Sequence, residues 1–469
     1  IADGSTDPGR SIYLQYTGTL DSTCTITIGP NTVSKLWFIE NATSGSQSII
    51  ISQGSGASIT ILNGQTKAIY SDGAGSGAAM VDAFTDLAAA SLFVDGDLAS
   101  NTAGTSNFRA GVNAGNSITS GGNYNVVVGD EAGTAITTGD NNVAIGYAAL
   151  DLEDTGTDSV AVGYNALTAQ NNDAANYNVA VGSSAGAAVT SGTNNTLIGG
   201  LAGDAISTGA GNTGLGKNAL GATTTASANT AVGTNAMLSN TEGANNVAVG
   251  HQALDSDTLG SKTVAVGKNT LQSQNFTTAT DSNNVAVGYD AGQAVTTGTA
   301  NTLLGGAAGD ALTDADNNVA VGFAALSGDT LGSNSVAIGK AALNNQDFTT
   351  ATNAYNVAVG ADAGLSVTSA VQNTIVGAQA ADALTQGARN TALGYVALSS
   401  DTLGQYAVAV GYGALFAQNF TTATNNYNVA VGYNAGGSVT TGQYNTLIGG
   451  LAGDALTTPN HNVAVGYSA

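Results

Sequence analysis

The sequence predicts an all-β fold made mainly of a repetitive parallel β-solenoid, and three features support that prediction. The chain of 469 residues has 65 glycines and only 9% charged residues, well below the quarter that is usual in soluble domains. Its apolar residues are mostly Ala and Val, and only 6% of the chain is aromatic, so many small side chains must be buried in a regular way. A phrase ending in glycine also recurs at a fixed interval.

This repeat begins near residue 105 and continues to Ala469. Its closing glycine, the coil glycine, occurs at 111, 129, 146, 163, 182, 199, 216, 233, 250, 267, 288, 305, 322, 339, 360, 377, 394, 411, 432, 449 and 466. Of the 20 intervals, 15 are 17 residues and three are 21, which gives a 72-residue super-repeat. A fixed period rich in Gly, Val and Thr is typical of a solenoid coil and not of a helix. We therefore predict a parallel β-roll of about 21 coils over residues 107–469.

The pattern of residues 1–95 predicts a small, separate all-β domain, and a connector is expected over residues 96–106. β-branched runs at residues 11–16, 24–28, 36–39, 48–52 and 58–62 are separated by Gly, Asn and Ser clusters, the pattern of a small sandwich or meander. Asn63-Gly64 is a hairpin turn signal.

Composition also limits the partners. The net charge of −23 disfavours nucleic acid, whose affinity for proteins comes chiefly from Lys and Arg at phosphates. Cys24 is the single cysteine, so no intrachain disulfide is expected. No apolar run is long enough to span a bilayer. Because the chain stops at Ala469 inside a repeat, we expect it to be part of a longer fibre.

Residue alternation within the coil predicts self-association. Counted from the coil glycine, position −3 is Val or Thr and position −1 is Val, Ile or Leu from Gly129 onward, so both positions are expected to line the coil interior. Position −2 is Ala in 14 of 20 coils. An outward row of alanines indicates a second buried face, covered by another chain. The predicted interface between chains, which the resemblance described below implies to be that of a trimer, includes Ala286, Ala320, Ala358 and Ala430.

Other positions of the coil have structural explanations. Position −4 is Asn in 16 of 20 coils, which predicts a hydrogen-bonded stack of side chains. Position +4 is either large, as in Leu254, or small, as in Gly292, and position +7 is apolar only when position +4 is small. Close packing requires such an exchange, with one bulky side chain per coil.

Two resemblances point to a function. The phrase Asn-Asn-Val-Ala-Val-Gly at residues 245–250, 283–288 and 317–322, with Ser-Val-Ala-Ile-Gly at 335–339, resembles the head repeats of trimeric autotransporter adhesins. That resemblance covers residues 107–469 and implies left-handed parallel β-rolls assembled as trimers. The stretches 35–43, 48–52 and 70–73 look like a small β domain in tail fibres of marine bacteriophages.

The resemblances imply a non-enzymatic, homotrimeric tail-fibre shaft that attaches a phage particle to a host cell. Its expected partners are other copies of itself and a cell-surface glycan or outer-membrane receptor. A bacterial surface adhesin is the alternative, and the expected location is extracellular in both cases. A monomeric binding solenoid, such as an ice-binding protein, is a further alternative that would need a flat Thr array; the pairs Thr137-Thr138, Thr296-Thr297 and Thr440-Thr441 occur only in some coils.

The four-residue insertions of the 21-residue coils are the candidate receptor loops, because insertions in solenoids form loops on one face. Repeated loops suit multivalent weak binding. The alternative is that each Phe folds back and seals the edge of a coil. The candidate contact residues are Phe276, Phe348, Phe420, Asn275, Asp347 and Asn419.

Candidate residues for catalysis and metal binding are few. His251 and His461 lie in different coils, and a single cysteine cannot form a zinc site. We therefore expect no catalytic residues, no metal and no cofactor. A polysaccharide depolymerase would need paired acids in a groove, and the sequence does not show such pairs. The recurrent acids Asp204, Asp310, Asp382 and Asp454 lack the nine-residue period of calcium-binding β-rolls.

Overall fold

A computed structural model describes residues 11–84, 103–458 and 460–469. The chain forms two compact units, Ile1–Leu98 and Ala99–Ala469. Strands are the main regular secondary structure of both units, and in the described ranges the helical structure is one 3-10 turn at Gly75–Gly77. The predicted all-β class is confirmed.

The N-terminal unit contains two small sheets. Its strands are β1 (Tyr13–Thr19), β2 (Cys24–Thr27), β3 (Ser34–Ser44), β4 (Ile49–Ser52), β5 (Ile59–Ile61), β6 (Thr66–Asp72) and β7 (Met80–Asp82). One sheet has the order β1-β3-β6-β7 and the other β2-β4-β5. The pairs β1–β3 and β2–β4 are parallel, with Tyr13 opposite Phe38 and Cys24 opposite Ile49. The remaining pairs are antiparallel, so this unit is not a simple meander.

The prediction of a hairpin at Asn63-Gly64 is wrong. A turn is present, since the Gln65 N–H donates to the Leu62 carbonyl at 3.1 Å. However, β5 pairs with β4 and β6 pairs with β3, so the turn joins the two sheets. The Asn63 side chain donates to the Thr43 carbonyl on β3, which holds the connection. Burial decides the pairing: the two sheets enclose Trp37, Ile39, Ile49, Ile51, Ile61, Ile69 and Met80.

The second unit is the predicted parallel solenoid. Its main sheet consists of β8 (Phe108–Ala110), β9 (Val126–Val128), β10 (Val143–Ile145), β11 (Val160–Val162), β12 (Val179–Val181), β13 (Thr196–Ile198), β14 (Thr213–Leu215), β15 (Thr230–Val232), β16 (Val247–Val249), β18 (Val264–Val266), β20 (Val285–Val287), β21 (Thr302–Leu304), β22 (Val319–Val321), β24 (Val336–Ile338), β26 (Val357–Val359), β27 (Thr374–Val376), β28 (Thr391–Leu393), β30 (Val408–Val410), β32 (Val429–Val431), β33 (Thr446–Ile448) and β34 (Val463–Val465). Two-residue strands flank the insertions: β17 (Gly260–Ser261), β19 (Thr280–Asp281), β23 (Gly332–Ser333), β25 (Thr352–Asn353), β29 (Gly404–Gln405) and β31 (Thr424–Asn425).

Successive main strands pair in parallel, so that equivalent coil positions lie beside each other. Val247 pairs with Val264 and Val264 pairs with Val285, although a 21-residue interval separates the second pair. The paired strands run in chain order from β8 to β34, and no register joins these two end strands within the described residues. The ladder is therefore a linear stack, and the prediction of about 21 coils with 17-residue spacing is confirmed.

The coil glycines are required by their stacking. Their φ angles lie between 127° and 143°, a region that other residues rarely adopt. A Cβ on Gly250 would lie 2.3 Å from the carbonyl oxygen of Gly267 in the next coil. Both the backbone angle and the neighbouring coil therefore exclude a side chain.

The predicted asparagine stack is also confirmed. The backbone N–H of Asn301 donates to Oδ1 of Asn284 at 2.9 Å, and its Nδ2 donates to the Ala315 carbonyl at 2.7 Å. Asn284 and Asn301 are fully buried. Each side chain thus satisfies buried backbone groups in two places, which explains the preference for Asn at position −4.

The exchange of bulky residues between positions +4 and +7 is confirmed as packing. Leu254 at position +4 and Val295 at position +7 are both fully buried. A Cβ on Gly292 would lie 2.6 Å from Cδ1 of Leu303. A small residue at position +4 is therefore needed where neighbouring side chains already fill the coil.

The predicted orientation of the strands is wrong. Ala286, Ala320, Ala358 and Ala430 are fully buried within their own chain, whereas Val287 at position −1 is 39% exposed. The interior at position −2 also has to hold the residues of positions +3, +4 and +7. Position −2 is therefore small in most coils and larger, as in Leu197, only where position +4 is Gly or Ala. These four alanines cannot form a surface between chains.

Candidate functional site

The outward face of the main sheet is the most unusual surface of the solenoid. Its two rows, positions −3 and −1, contain no charged residue in any of the 21 strands. Ile145 is 37% exposed, Leu215 45%, Val287 39% and Leu393 45%. Soluble monomers rarely expose apolar patches larger than a few hundred Å². The expectation of two apolar strand faces therefore holds, but the valine side, and not the alanine side, faces outward.

Tyrosines form columns on both sides of this face. They occupy position +1, just after the coil glycine, and position −5, just before the strand. Neighbouring rings have centroid separations of 5.6 Å for Tyr147–Tyr164, 5.6 Å for Tyr395–Tyr412, 5.3 Å for Tyr412–Tyr433, 5.1 Å for Tyr406–Tyr427, 5.7 Å for Tyr427–Tyr444 and 4.8 Å for Tyr444–His461. The rings of Tyr395 and Tyr412 are tilted by 34°, and the other pairs are stacked. Sequence reasoning missed these columns, although counting residues at positions +1 and −5 reveals them.

The three phenylalanines of the insertions are not receptor contacts. Phe276, Phe348 and Phe420 are only 5%, 6% and 4% exposed. The Phe348 ring lies against Gly332, where an added Cβ would come within 2.7 Å of Cδ2. The alternative interpretation, in which each ring folds back and seals a coil edge, is therefore the observed one. Burial removes a large apolar ring surface from water.

The rest of each insertion remains exposed. Asn275, Asp347 and Asn419 are exposed, and each accepts a hydrogen bond from a threonine hydroxyl of the preceding coil at 2.9, 2.9 and 3.0 Å. The Thr-Thr-Ala segments that follow, residues 277–279, 349–351 and 421–423, are exposed as well. Three similar loops thus recur at an interval of four coils.

A buried carboxylate fixes each insertion. Oδ2 of Asp257 accepts a hydrogen bond from Nε2 of Gln274 at 2.6 Å, and Oδ1 accepts from the backbone N–H groups of Gly260 at 3.1 Å and Phe276 at 3.3 Å. Nδ2 of Asn284 donates to Oε1 of Gln274 at 2.9 Å. The carboxylate therefore connects the insertion to the asparagine stack.

This arrangement repeats with Asp329 and Gln346 and with Asp401 and Gln418. Burial raises the pKa of Asp257, Asp329 and Asp401, while the hydrogen bond from Gln in each pair opposes that rise. The sequence pattern identifies position +7 in these coils only as polar. The recurrence of Asp at that position, with Gln one coil later and Phe two residues after the Gln, is the signal that could have revealed the arrangement.

The threonines at position +8 of successive coils form a column along the solenoid. The Thr296 hydroxyl donates to the Thr313 carbonyl at 3.2 Å, and the Thr313 hydroxyl donates to the Thr330 carbonyl at 3.0 Å. Similar bonds begin at Thr190, Thr224, Thr241, Thr368, Thr385 and Thr440. The column is more continuous than the Thr pairs indicate, but its hydroxyl protons are donated to the backbone.

The remaining candidates lie apart from one another. His251 is exposed, and His461 stacks on Tyr444. Burial raises the pKa of Asp204, Asp310 and Asp382. In the described part of the chain, no three His, Cys, Asp or Glu side chains come close enough to hold a metal ion. Over the same residues, no helix is long and apolar enough to cross a membrane.

Comparison of the chain with protein-family models, with curated proteins and with solved structures gives no match.

Proposed function

We propose that this chain is the self-associating, non-enzymatic shaft of an attachment fibre, of the kind found in phage tails. In this proposal three copies surround a common axis, and the insertion loops contact a glycan or receptor on the host surface. The fibre is extracellular, as part of a virion. A bacterial trimeric surface adhesin is the alternative setting for the same assembly.

The single observation behind the proposal is the uncharged outward face of the main sheet. With a strand spacing of about 4.8 Å, 21 coils extend over about 100 Å. A three-residue strand is about 10 Å wide, so the face offers roughly 1,000 Å² per copy, against about 800 Å² per partner in a stable interface. Another copy of the chain has the same coil spacing and so matches the face along its whole length.

The insertion loops support the attachment part of the proposal. Four coils separate one loop from the next, which is roughly 19 Å at the usual strand spacing. Three copies would present nine such loops, and several weak contacts made together bind far more tightly than one. The proposed contacts are the exposed loop residues Asn275, Asp347 and Asn419 and the threonines that follow, in place of the buried phenylalanines.

Electron microscopy and cell binding test this function. We expect rods of about 100 Å, and we expect fluorescently labelled protein to bind cells of at least one strain in a panel of bacteria. Changing Thr278, Thr350 and Thr422 to Glu is expected to reduce binding about tenfold or more, because three charged loops lose contacts that act together. The same change at the exposed Thr138, Thr208 and Thr441 is the matched control. Compact particles, or equal binding by both triple variants, would refute the attachment role.

A monomeric ice-binding solenoid is the second candidate, and the threonine column at position +8 is the observation that favours it. The hydroxyl of Thr313, for example, has its proton engaged by the Thr330 carbonyl, which leaves the oxygen as an acceptor. A thermal-hysteresis assay separates the two candidates: the fibre predicts no hysteresis, and clear hysteresis from a monomer would favour ice binding.

A further inference from the structure

The tyrosine columns are densest at the C-terminal end of the solenoid. Residues 391–469 contain seven of the 16 tyrosines, and all seven occupy position +1 or −5. Six of them are 46–79% exposed. They are Tyr395, Tyr412, Tyr427, Tyr433, Tyr444 and Tyr467. Tyrosine is enriched in protein interfaces because it contributes a large apolar area at a low cost in conformational entropy.

The same segment is almost free of charge. Between residues 391 and 469 the only charged side chains are Asp401 and Asp454, and Asp401 is fully buried. By contrast, seven acidic residues and no basic ones lie between residues 130 and 158. In a chain of net charge −23, two copies therefore repel each other less at the C-terminal coils than at the acidic coils of residues 130–158.

Stacking also prepares these rings for contact. Tyr395, Tyr412 and Tyr433 form one column, and Tyr406, Tyr427 and Tyr444 form the other, which ends on His461. Rings already held by their neighbours lose little further freedom when a partner covers them. Between the two columns lie apolar residues of the sheet face, including Leu393 at 45% and Ile448 at 41% exposure.

From these observations we infer that the tyrosine-flanked coils of residues 391–467 are the main contact through which copies of this chain associate. The inference rests on the proposed function and specifies the part of the outward face that holds the copies together. Each half-exposed tyrosine offers about 100 Å², so the six rings and the aliphatic rows between them supply roughly the 800 Å² per partner of a stable interface. The partner is a second copy, because its equivalent surface is uncharged and has the same spacing.

The test replaces tyrosines with residues that this chain already uses at equivalent positions. The C-terminal variant carries Tyr395→Lys and Tyr412→Lys at position +1, as in Lys217, and Tyr427→Asn and Tyr444→Asn at position −5, as in Asn245. The control variant carries Tyr147→Lys, Tyr164→Lys, Tyr124→Asn and Tyr177→Asn in the acidic N-terminal coils. Circular dichroism verifies that both variants remain folded.

Sedimentation or light scattering over a dilution series gives the outcome. We expect the C-terminal variant to dissociate at a protein concentration at least about 100-fold higher than the wild type, since several interface tyrosines are lost together, and the control to change less than about fivefold. Equal changes in the two variants, or no change in either, would overturn this inference while leaving a self-associating fibre intact. A wild-type chain that is monomeric at every concentration would instead overturn the proposed function.

Discussion

The two units of the chain bury apolar surface in different ways. The N-terminal unit encloses Trp37, five isoleucines and Met80 between two sheets. The solenoid instead stacks alanines, glycines and one or two bulky side chains per coil inside a narrow tube. The first arrangement resembles an ordinary domain core, in which each large residue has its own site. The second depends on equivalent positions lying above one another, so each coil restricts the side chains of the next.

The largest expected difference between the units concerns glycine. Gly250→Ala forces a Cβ to within 2.3 Å of the Gly267 carbonyl oxygen at a φ of 141°, and we expect a loss of about 4 kcal/mol or more in the free energy of unfolding. Gly18 in the N-terminal unit has a φ of 113° with no atom within 4 Å of an added Cβ. Gly18→Ala should therefore cost only about 1–2 kcal/mol. Similar losses in denaturant unfolding would mean that stacking is not the constraint.

The next effect concerns the bulky residue of each coil. Leu220→Gly should cost about 3 kcal/mol, because Leu220 is fully buried. Adding Thr223→Val should restore at least half of the lost free energy of unfolding. The double variant then has Gly at position +4 and Val at position +7, as Gly186 and Val189 do in another coil. In the N-terminal unit, Ile51→Ala should cost a similar amount, and no substitution three residues away should restore it. A double variant no more stable than Leu220→Gly would contradict the exchange.

A smaller effect is a dependence on pH that arises in the solenoid. Burial raises the pKa of Asp257, Asp329 and Asp401 above the ordinary carboxyl value. The folded chain therefore takes up protons at a higher pH than the unfolded chain, so the free energy of unfolding rises as pH falls through the raised pKa values. This gain in the free energy of unfolding is complete below the unfolded pKa of about 3.9. Each carboxyl adds about 1.4 kcal/mol to it for every unit by which its folded pKa exceeds its unfolded pKa.

Changing the three aspartates to Asn isolates this contribution. The triple variant should show a flatter dependence of stability on pH between neutral and acidic conditions, because the ionising groups are gone while Oδ1 can still accept from the backbone. Thermal unfolding of both proteins across this range measures the difference. An unchanged slope in the variant would mean that these carboxyls do not titrate in that range.

The fold was predictable from the sequence because a solenoid repeats one constraint many times. The 17-residue spacing, the asparagine stack and the exchange between positions +4 and +7 each recur in many coils, so chance agreement is small. The pairing around Asn63-Gly64 was not predictable in this way, because the turn occurs once and the burial of two different sheets decides its partners.

The orientation of the strands was predicted wrongly for a physical reason. Alternation shows that positions −3 and −1 share one face and position −2 the other, but not which face is inside. The sequence did contain the answer in the coils where position −2 is larger than Ala. These residues are Val127, Leu197, Leu303, Ile375 and Leu447, and position +4 of the same coils is Gly133, Gly203, Gly309, Ala381 and Gly453. Position −2 is larger than Ala only where position +4 is small, so the side chains at these two positions must occupy the same interior.

The sequence predicted correctly that the insertions form loops, but it left open whether their phenylalanines are exposed or buried. An aromatic residue in an insertion is equally compatible with a contact and with a seal, and the partner that distinguishes them, the buried Asp257 carboxylate, lies 19 residues earlier. Such a pairing becomes visible only when the coils are stacked. The tyrosine columns were missed for the same reason, since their members are one coil apart.

The proposal that copies of the chain cover the outward face of the main sheet can be tested most directly by the mass of the native protein in solution. Light scattering on the unmodified chain, at concentrations well above those used for dissociation, should give three times the protomer mass of 45.7 kDa. A well-folded particle of a single protomer mass at all concentrations would show that the uncharged face is stable in water and would contradict the account.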